Sequence, residues 1–171
     1  MDNARAHTHY MDAEERVDWI GNIPFLLVNL GSVLVLWTGV STVALCVAFI
    51  TLAVRMFGLT GGYHRYFCHR SFGTSRFFQF VLAWTGCAAA QMGPLWWAAH
   101  HRHHHRHSDT HQDVHPPGVK GFLWAHMGWV MSPSNERTRL DLVPDLAAYP
   151  ELRWLNRHHY VPPAVLIVTD L

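Results

Sequence analysis

From Ile23 to Val54 the chain carries no Asp, Glu, Lys or Arg, and the apolar run continues to Leu59. A single membrane-spanning helix needs about 20 residues, and this run is nearly double that. The segment WTGVST places a glycine and small polar side chains near its middle. The pattern predicts a transmembrane helical hairpin over 23–59, with legs Ile23–Trp37 and Thr42–Leu59. A pair of buried core helices in a soluble protein is the other way to satisfy such a run, but the total absence of charge favours lipid. The stretch before it, residues 1–22, is polar and acidic, without the basic start and prompt apolar run of a signal peptide. It reads as a cytosolic amino-terminal arm, with His7 and His9 as ordinary tail residues.

Phe77–Ala99 is a second apolar stretch, FFQFVLAWTGCAAAQMGPLWWAA. It is long enough to cross a bilayer, but crossing would separate the histidines on its two sides. If those histidines serve one site, the segment must return to the face it left, as an interfacial or re-entrant helix. Gly86–Ala90 would then allow close packing, and Gly93-Pro94 would break the helix. Gly121–Pro133 predicts a short amphipathic helix at headgroup level. Residues 60–160 together form the cytosolic and interfacial region. Residues 161–171, VPPAVLIVTDL, open with prolines suited to a helix start and turn apolar, as the first turns of a third spanning helix would. The predicted fold class is therefore all-α integral membrane: a transmembrane hairpin plus interfacial and cytosolic helices.

Composition agrees. Charged residues make up 15% of the 171, against about 25% in ordinary soluble domains. Arg5 and Arg16 precede the hairpin, Arg55, Arg65, Arg70 and Arg76 follow it, and its tip has no basic residue. By the positive-inside rule both ends, and the histidine-rich region after them, face the cytoplasm of a multi-pass protein. A formal net charge of +1 without a basic, aromatic-interleaved stripe gives no nucleic-acid footprint. Cys46, Cys68 and Cys87 show no paired spacing and read as reduced thiols, Cys68 being a conceivable ligand beside His69.

Histidine is the outlier, with 15 copies. His101, His104 and His105 form H-x-x-H-H, and residues three and four apart share one helical face. They can aim at one point or bracket two adjacent metals. His64 and His69 lie five apart, about 140° around an ideal helix, so they need a distorted turn or two different metals. Neutral imidazole suits Fe, Zn, Cu and Ni. A loose metal-binding histidine tract accounts for His100–His107 but not for the spaced pair upstream. His100, His103 and His107 lie off the ligand face. His111 and His115 stand between supporting the ligands and plain surface, and His126 is an interfacial or supporting candidate.

The segments GGYHRYFCHRSF, GPLWWAAHHRHHHRHSDTHQDVH and GFLWAHMGWVM, in this order and at about this spacing, resemble the membrane-bound fatty acyl desaturases, with a bacterial-like Gly-Pro before the tryptophans. The resemblance covers most of Leu59 to Trp129. It implies two Fe ions (a di-iron centre) on the cytosolic side, with His64, His69, His101, His104 and His105 among the ligands. The family's third box, a further H-x-x-H-H beyond a second hairpin, has no counterpart here. His158 and His159 lack that box's first histidine and read as surface residues. The expectation is thus a carboxy-terminally incomplete desaturase, inactive as this segment alone.

The implied reaction is oxygen-dependent introduction of a C=C bond into a fatty acyl chain, in unsaturated fatty acid biosynthesis. The chain has no dinucleotide-binding glycine loop and no cysteine cluster, so electrons must come from a partner such as ferredoxin, cytochrome b5 or a reductase. Gln91, Asp109, Asp113, His111 and His115 are candidates to orient the imidazoles. Trp84, Trp96 and Trp97 are candidates to line an acyl tunnel. Animal acyl-CoA desaturases carry a basic-acidic pair where this chain has Ala99-His100, and a basic pair where it has Pro133-Ser134. Acyl-CoA and acyl-lipid both remain open as substrate carriers. A related di-iron lipid hydroxylase, an alkane oxygenase, or a non-enzymatic histidine-rich metal transporter are the rival readings.

Overall fold

The computed structural model of the chain describes residues 15–169, and all regular structure among them is helical. His7 and His9 lie outside the described residues, as do the first part of the amino-terminal arm and residues 170 and 171 of the expected third spanning helix.

The apolar run resolves into two helices. Helix α1 covers Ile23–Thr38, with a 3-10 turn at Ser32–Leu34. It ends at Gly39, whose φ of 72° suits a residue without Cβ. Helix α2, Thr42–Phe57, is capped by Ser41, whose Oγ accepts from Ala44 N at 3.1 Å. These bounds match the two predicted legs within about two residues. Neither helix buries a residue. Helices this apolar with most of their side chains exposed suit an apolar surround. One continuous helix, Thr42–Cys68, is long and apolar enough to cross a membrane.

That helix does not stop at Leu59. It runs on as a π-helical segment over Gly58–Cys68, carrying the first histidine pair on the same rod as the apolar leg. Phe77–Ala99 is broken, as Gly93-Pro94 predicts, but the first helix ends earlier than that pair. Helix α3, Arg76–Cys87, starts at the Ser75 cap and stops before the alanines. Ala90 and Met92 take left-handed φ values of 57° and 64°, and helix α4, Pro94–His107, then begins. At 1.5 Å per residue α3 is about 18 Å long, well short of an apolar bilayer core of about 30 Å. The predicted Gly121–Pro133 helix is also shorter. Regular structure there is a π turn at Trp124–Gly128, with Trp129 N bonded to Trp124 O at 3.1 Å.

The described chain divides into two compact units. The first joins the residues up to Gly39 with His107–Arg137. In it Met131 O accepts from Asp18 N at 3.0 Å and from Asn22 Nδ2 at 3.1 Å. Trp124 Nε1 donates to Val114 O at 2.9 Å.

The second unit, Val40–Arg106 with Thr138–Leu171, holds a core of Tyr63, Phe67, Leu82, Cys87, Leu95, Val143, Leu152 and Leu155 among others. The π segment lies directly on α3. A Cβ on Gly58 would sit 2.5 Å from the Thr85 carbonyl carbon, and one on Gly86 would sit 2.3 Å from the Tyr63 ring. Two short helices follow, α5 (Pro144–Ala147) and α6 (Pro150–Arg157). The latter turns Leu152 and Leu155 inward, and its Glu151 makes a two-pronged ion pair with Arg76 at 2.6 and 2.8 Å.

The start of α4 shows how the histidine helix is held. Gly93 has no side chain to cap it, and a Cβ there would meet the Asn156 Cα at 2.5 Å. Asn156, on α6, supplies the cap instead. Its Oδ1 accepts from Leu95 N at 3.1 Å and Trp96 N at 2.8 Å, and its Nδ2 donates to Thr138 Oγ1 at 3.0 Å. We predict that Asn156→Ala costs about 1–2 kcal/mol, as loss of a good helix cap does, read as a lower denaturation midpoint. Asn156→Asp keeps the acceptor and should cost less.

Candidate metal centre

The first histidine pair meets because the helix changes pitch. Five residues span about 140° on an α-helix, which would point His64 and His69 apart. In the π segment His69 N bonds to His64 O at 3.1 Å, an i→i+5 bond. One wider turn therefore returns the chain to the same face, and the two rings lie 4.5 Å apart. The next residue, Arg70, takes a left-handed φ of 50° and ends the helix. That conformation is uncommon for a residue with Cβ.

The second box comes from α4. His101 and His105 are one turn apart, with Nε2 atoms at 3.0 Å. The His101 ring lies 4.7 Å from His64 and 5.7 Å from His69, and the His105 ring lies 4.7 Å from His69. The ligand atoms of His64, His69 and His101 all lie within 4.8 Å of one another. Two nitrogens on one ion, each about 2.1 Å from it, are at most about 4.2 Å apart. Closing by roughly half an ångström would bring the three onto a single ion, so these residues fit a metal. His104, turned further along α4, has its ring 5.6 Å from His105.

The charge state fits as well. Burial, reinforced by His105, His64, His69 and His104, pushes the His101 imidazole down to about 3. Burial, with His69, His104 and His64, also presses His105 below its ordinary value. Both rings are thus neutral near pH 7, and a metal takes the neutral ring.

Around these rings the structure adds contacts that sequence reasoning missed. Trp97 stacks on His101, with centroids 4.5 Å apart and planes at 25°. Its Nε1 donates to Gln91 Oε1 at 3.4 Å, so Gln91 reaches the imidazoles only through a tryptophan. Arg102, next to His101, donates from Nη2 to Phe67 O at 2.6 Å and grips Asp145 with both prongs, at 2.8 and 3.0 Å. Arg70 also pairs with Asp145. Burial alone would raise the Asp145 carboxyl, but the hydrogen bonds and charge of Arg102 and Arg70 outweigh it and hold it at about 2.

The remaining candidates have other surroundings. Trp96 is buried against His100, with rings 4.2 Å apart, and Trp84 packs beside Phe80 on α3. Asp109, His111, Asp113 and His115 belong to the other unit. There the buried Asp113 carboxylate accepts from Asp109 N at 3.4 Å and His115 N at 3.2 Å. The His115 ring lies 4.7 Å from Trp129, and His111 is exposed. His126 stacks on Phe122 at 5.5 Å. His158 and His159 turn Nδ1 to the backbone carbonyls of Trp154 and Asn156.

The two shifted groups give one pH prediction for the metal-free chain. An unfolded histidine takes up a proton near 6.5, but folded His101 resists until about 3. Unfolding therefore binds protons in that window, and stability falls as pH drops from about 6.5 to 3. Asp145 continues the loss. Its ion pairs stabilise the fold above the unfolded carboxyl value near 3.9, and that stabilisation disappears as pH falls through about 2. Denaturant titrations at stepped pH should show a midpoint that decreases steadily below pH 6.5.

Comparison with known proteins bears on the same region. The fatty acid desaturase family model matches residues 41–169. The sn-1 stearoyl-lipid 9-desaturase of Anabaena variabilis is 34% identical over 151 residues, covering 84% of this chain and 53% of that protein. The sn-2 palmitoyl-lipid 9-desaturase of Nostoc sp. is 32% identical over 117 residues, 64% of this chain and 41% of its own length. A probable acyl-CoA desaturase of Schizosaccharomyces pombe is 38% identical over 134 residues, 74% of this chain and 26% of its own. The chain spans about half, or less, of the length of the curated relatives it matches. With both histidine boxes and the helices that carry them inside the matched span, the chain belongs to the fatty acid desaturase family.

Proposed function

We propose that this chain supplies part of a di-iron centre that desaturates a fatty acyl chain with O2 and external electrons. His64, His69, His101, His104 and His105 are the ligands it contributes. The observation that carries this reading is the convergence of His64, His69, His101 and His105, from two separate helices, with rings as close as 4.5 Å. A carbon-hydrogen bond in mid-chain yields to no side-chain acid, base or nucleophile. Iron, when bound, supplies the oxygen activation that the reaction needs.

The chain's own residues do the rest. The π turn and α4 aim imidazoles at one region, and Trp97 stacks on His101. The apolar helices α1 and α2, charged only at Arg55 in the last turn of α2, suit a bilayer, which is where the substrate's alkyl tail resides. We read the protein as multi-pass, with α1 and α2 forming the hairpin and the histidine boxes facing the cytoplasm. Relatives named for lipid-linked substrates and relatives named for acyl-CoA both match this chain. The chain also has Ala99-His100 and Pro133-Ser134 where animal acyl-CoA desaturases carry charged pairs. The absence of those pairs favours an acyl-lipid over acyl-CoA. Ferredoxin, cytochrome b5 or a reductase would supply the electrons.

The test is fatty acid analysis by mass spectrometry after expressing a desaturase of the relatives' length that carries this segment. An alkene that requires O2 and reductant supports the reading. An alcohol in its place means hydroxylation, and metal accumulation without new lipid means transport.

A further inference from the structure

We propose that Asp145 is a positioning residue that holds the two histidine boxes in register, acting through Arg70 and Arg102. This rests on the metal-centre reading above and adds a residue from a third element, α5, that bears no histidine.

Arg70 directly follows His69, and Arg102 directly follows His101. One carboxylate joins them. Asp145 Oδ1 and Oδ2 accept from Arg102 Nη1 and Nη2 at 2.8 and 3.0 Å, and Oδ2 also accepts from Arg70. The same guanidinium bonds to Phe67 O at 2.6 Å, two residues before His69. The Arg102 side chain is only 15% exposed, so its charge needs this partner. Paired, planar hydrogen bonds fix direction as well as distance. Arg70, for its part, sits in the left-handed region at φ 50°, a conformation that persists only where its surroundings over-determine it. Asp145 is one such constraint, placed where the helix must stop so that His69 faces His64. Losing the carboxylate frees the backbone after His69 and the flank of α4 together, and the spacing between the boxes is no longer set.

The test uses the 171-residue chain in detergent micelles with Co(II), whose visible absorption reports ligand geometry. The variants are Asp145→Asn, Asp145→Glu and Arg70→Gln. The last alters an exposed side chain and removes only one arm, so it keeps the test valid if Asp145→Asn folds poorly. Asp145→Asn should weaken Co(II) binding by about 10-fold, the range seen when groups supporting metal ligands are lost, and should change the shape of the visible band. Asp145→Glu should recover much of both. A residue that merely stabilises the fold would lower the denaturation midpoint and leave the band of bound Co(II) unaltered.

A metal-free reading separates this proposal from the one beneath it. Hydrogen exchange at the His69, Arg70 and Ser71 amides should speed up in Asp145→Asn and in Arg70→Gln. Wild-type exchange there, with wild-type affinity and spectrum, overturns the role of Asp145 even if the metal centre stands. Failure of the unsubstituted chain to bind Co(II), with exchange still accelerated in the variants, overturns the metal reading and leaves the register role in place.

Discussion

Replacing His101 with alanine is expected to lower metal uptake by the purified chain at least about 100-fold, the upper end of what loss of an outer-shell partner costs. In a desaturase of the relatives' length carrying this segment, unsaturated product should fall below detection. His101 occupies the middle of the cluster. Its Nε2 lies 3.0 Å from that of His105, its ring 4.7 Å from His64, and Trp97 stacks on its other face. Removing it takes away one of the two α4 rings that meet the π segment, His105 against His69 being the other. A loose histidine tract would behave otherwise. His100–His115 contains eight histidines, and deleting one of eight interchangeable chelators would weaken uptake only slightly. His158→Ala is the control, since its Nδ1 is turned to the Trp154 carbonyl, and uptake should be unaffected. Iron content by plasma mass spectrometry, with fatty acid analysis beside it, decides between the two.

Gly58→Ala should cost about 1–3 kcal/mol, as overpacking does, and should reduce metal uptake as well. The new Cβ would lie 2.5 Å from the Thr85 carbonyl carbon and 2.7 Å from Gly86 N. Both neighbours are backbone, so no rotamer change relieves the clash and α3 must move away. His64 rides on the same helix six residues on, so the shift reaches the centre. Gly31→Ala provides the contrast. Nothing lies within 4 Å of its Cβ position, and at that helical site alanine should stabilise by up to about 1 kcal/mol. Thermal unfolding of both variants in the same detergent, with metal content measured alongside, tests the pair. Equal midpoints would contradict the packing argument.

The contact at Gly58 also marks where sequence patterning stops. Hydropathy located both apolar legs, because a run without charge admits few alternatives and WTGVST marks the turn by chemistry alone. It also found the histidine boxes, since H-x-x-H-H at helical spacing needs no tertiary information to face one way. It put the break of Phe77–Ala99 at Gly93-Pro94, where the next helix does begin, but carried the preceding helix through the alanines. The chain breaks at Ala88–Met92 instead, with left-handed residues at Ala90 and Met92. Tyr63 closes that turn, its hydroxyl donating to Met92 O at 3.0 Å. The five-residue gap between His64 and His69 was legible as a problem, but not its solution. A π segment is stabilised by what packs on it, here α3, whose Thr85 lies against Gly58 and whose Gly86 lies against Tyr63, and no residue within GGYHRYFCH announces it.

The residues that hold the centre together were the least legible of all. Arg102 lies inside a histidine-rich stretch and looks like one more solvated charge. Asp145 and Asn156 sit in ordinary helical sequence more than 40 residues from the α4 groups they bind. By itself the sequence determined what is local: apolar length, helical face, and the kinds of atom offered to a metal. Tertiary structure alone decided which of those faces meet, because a carboxylate or an amide acquires its role only when folding brings a partner from a distant element within hydrogen-bond reach.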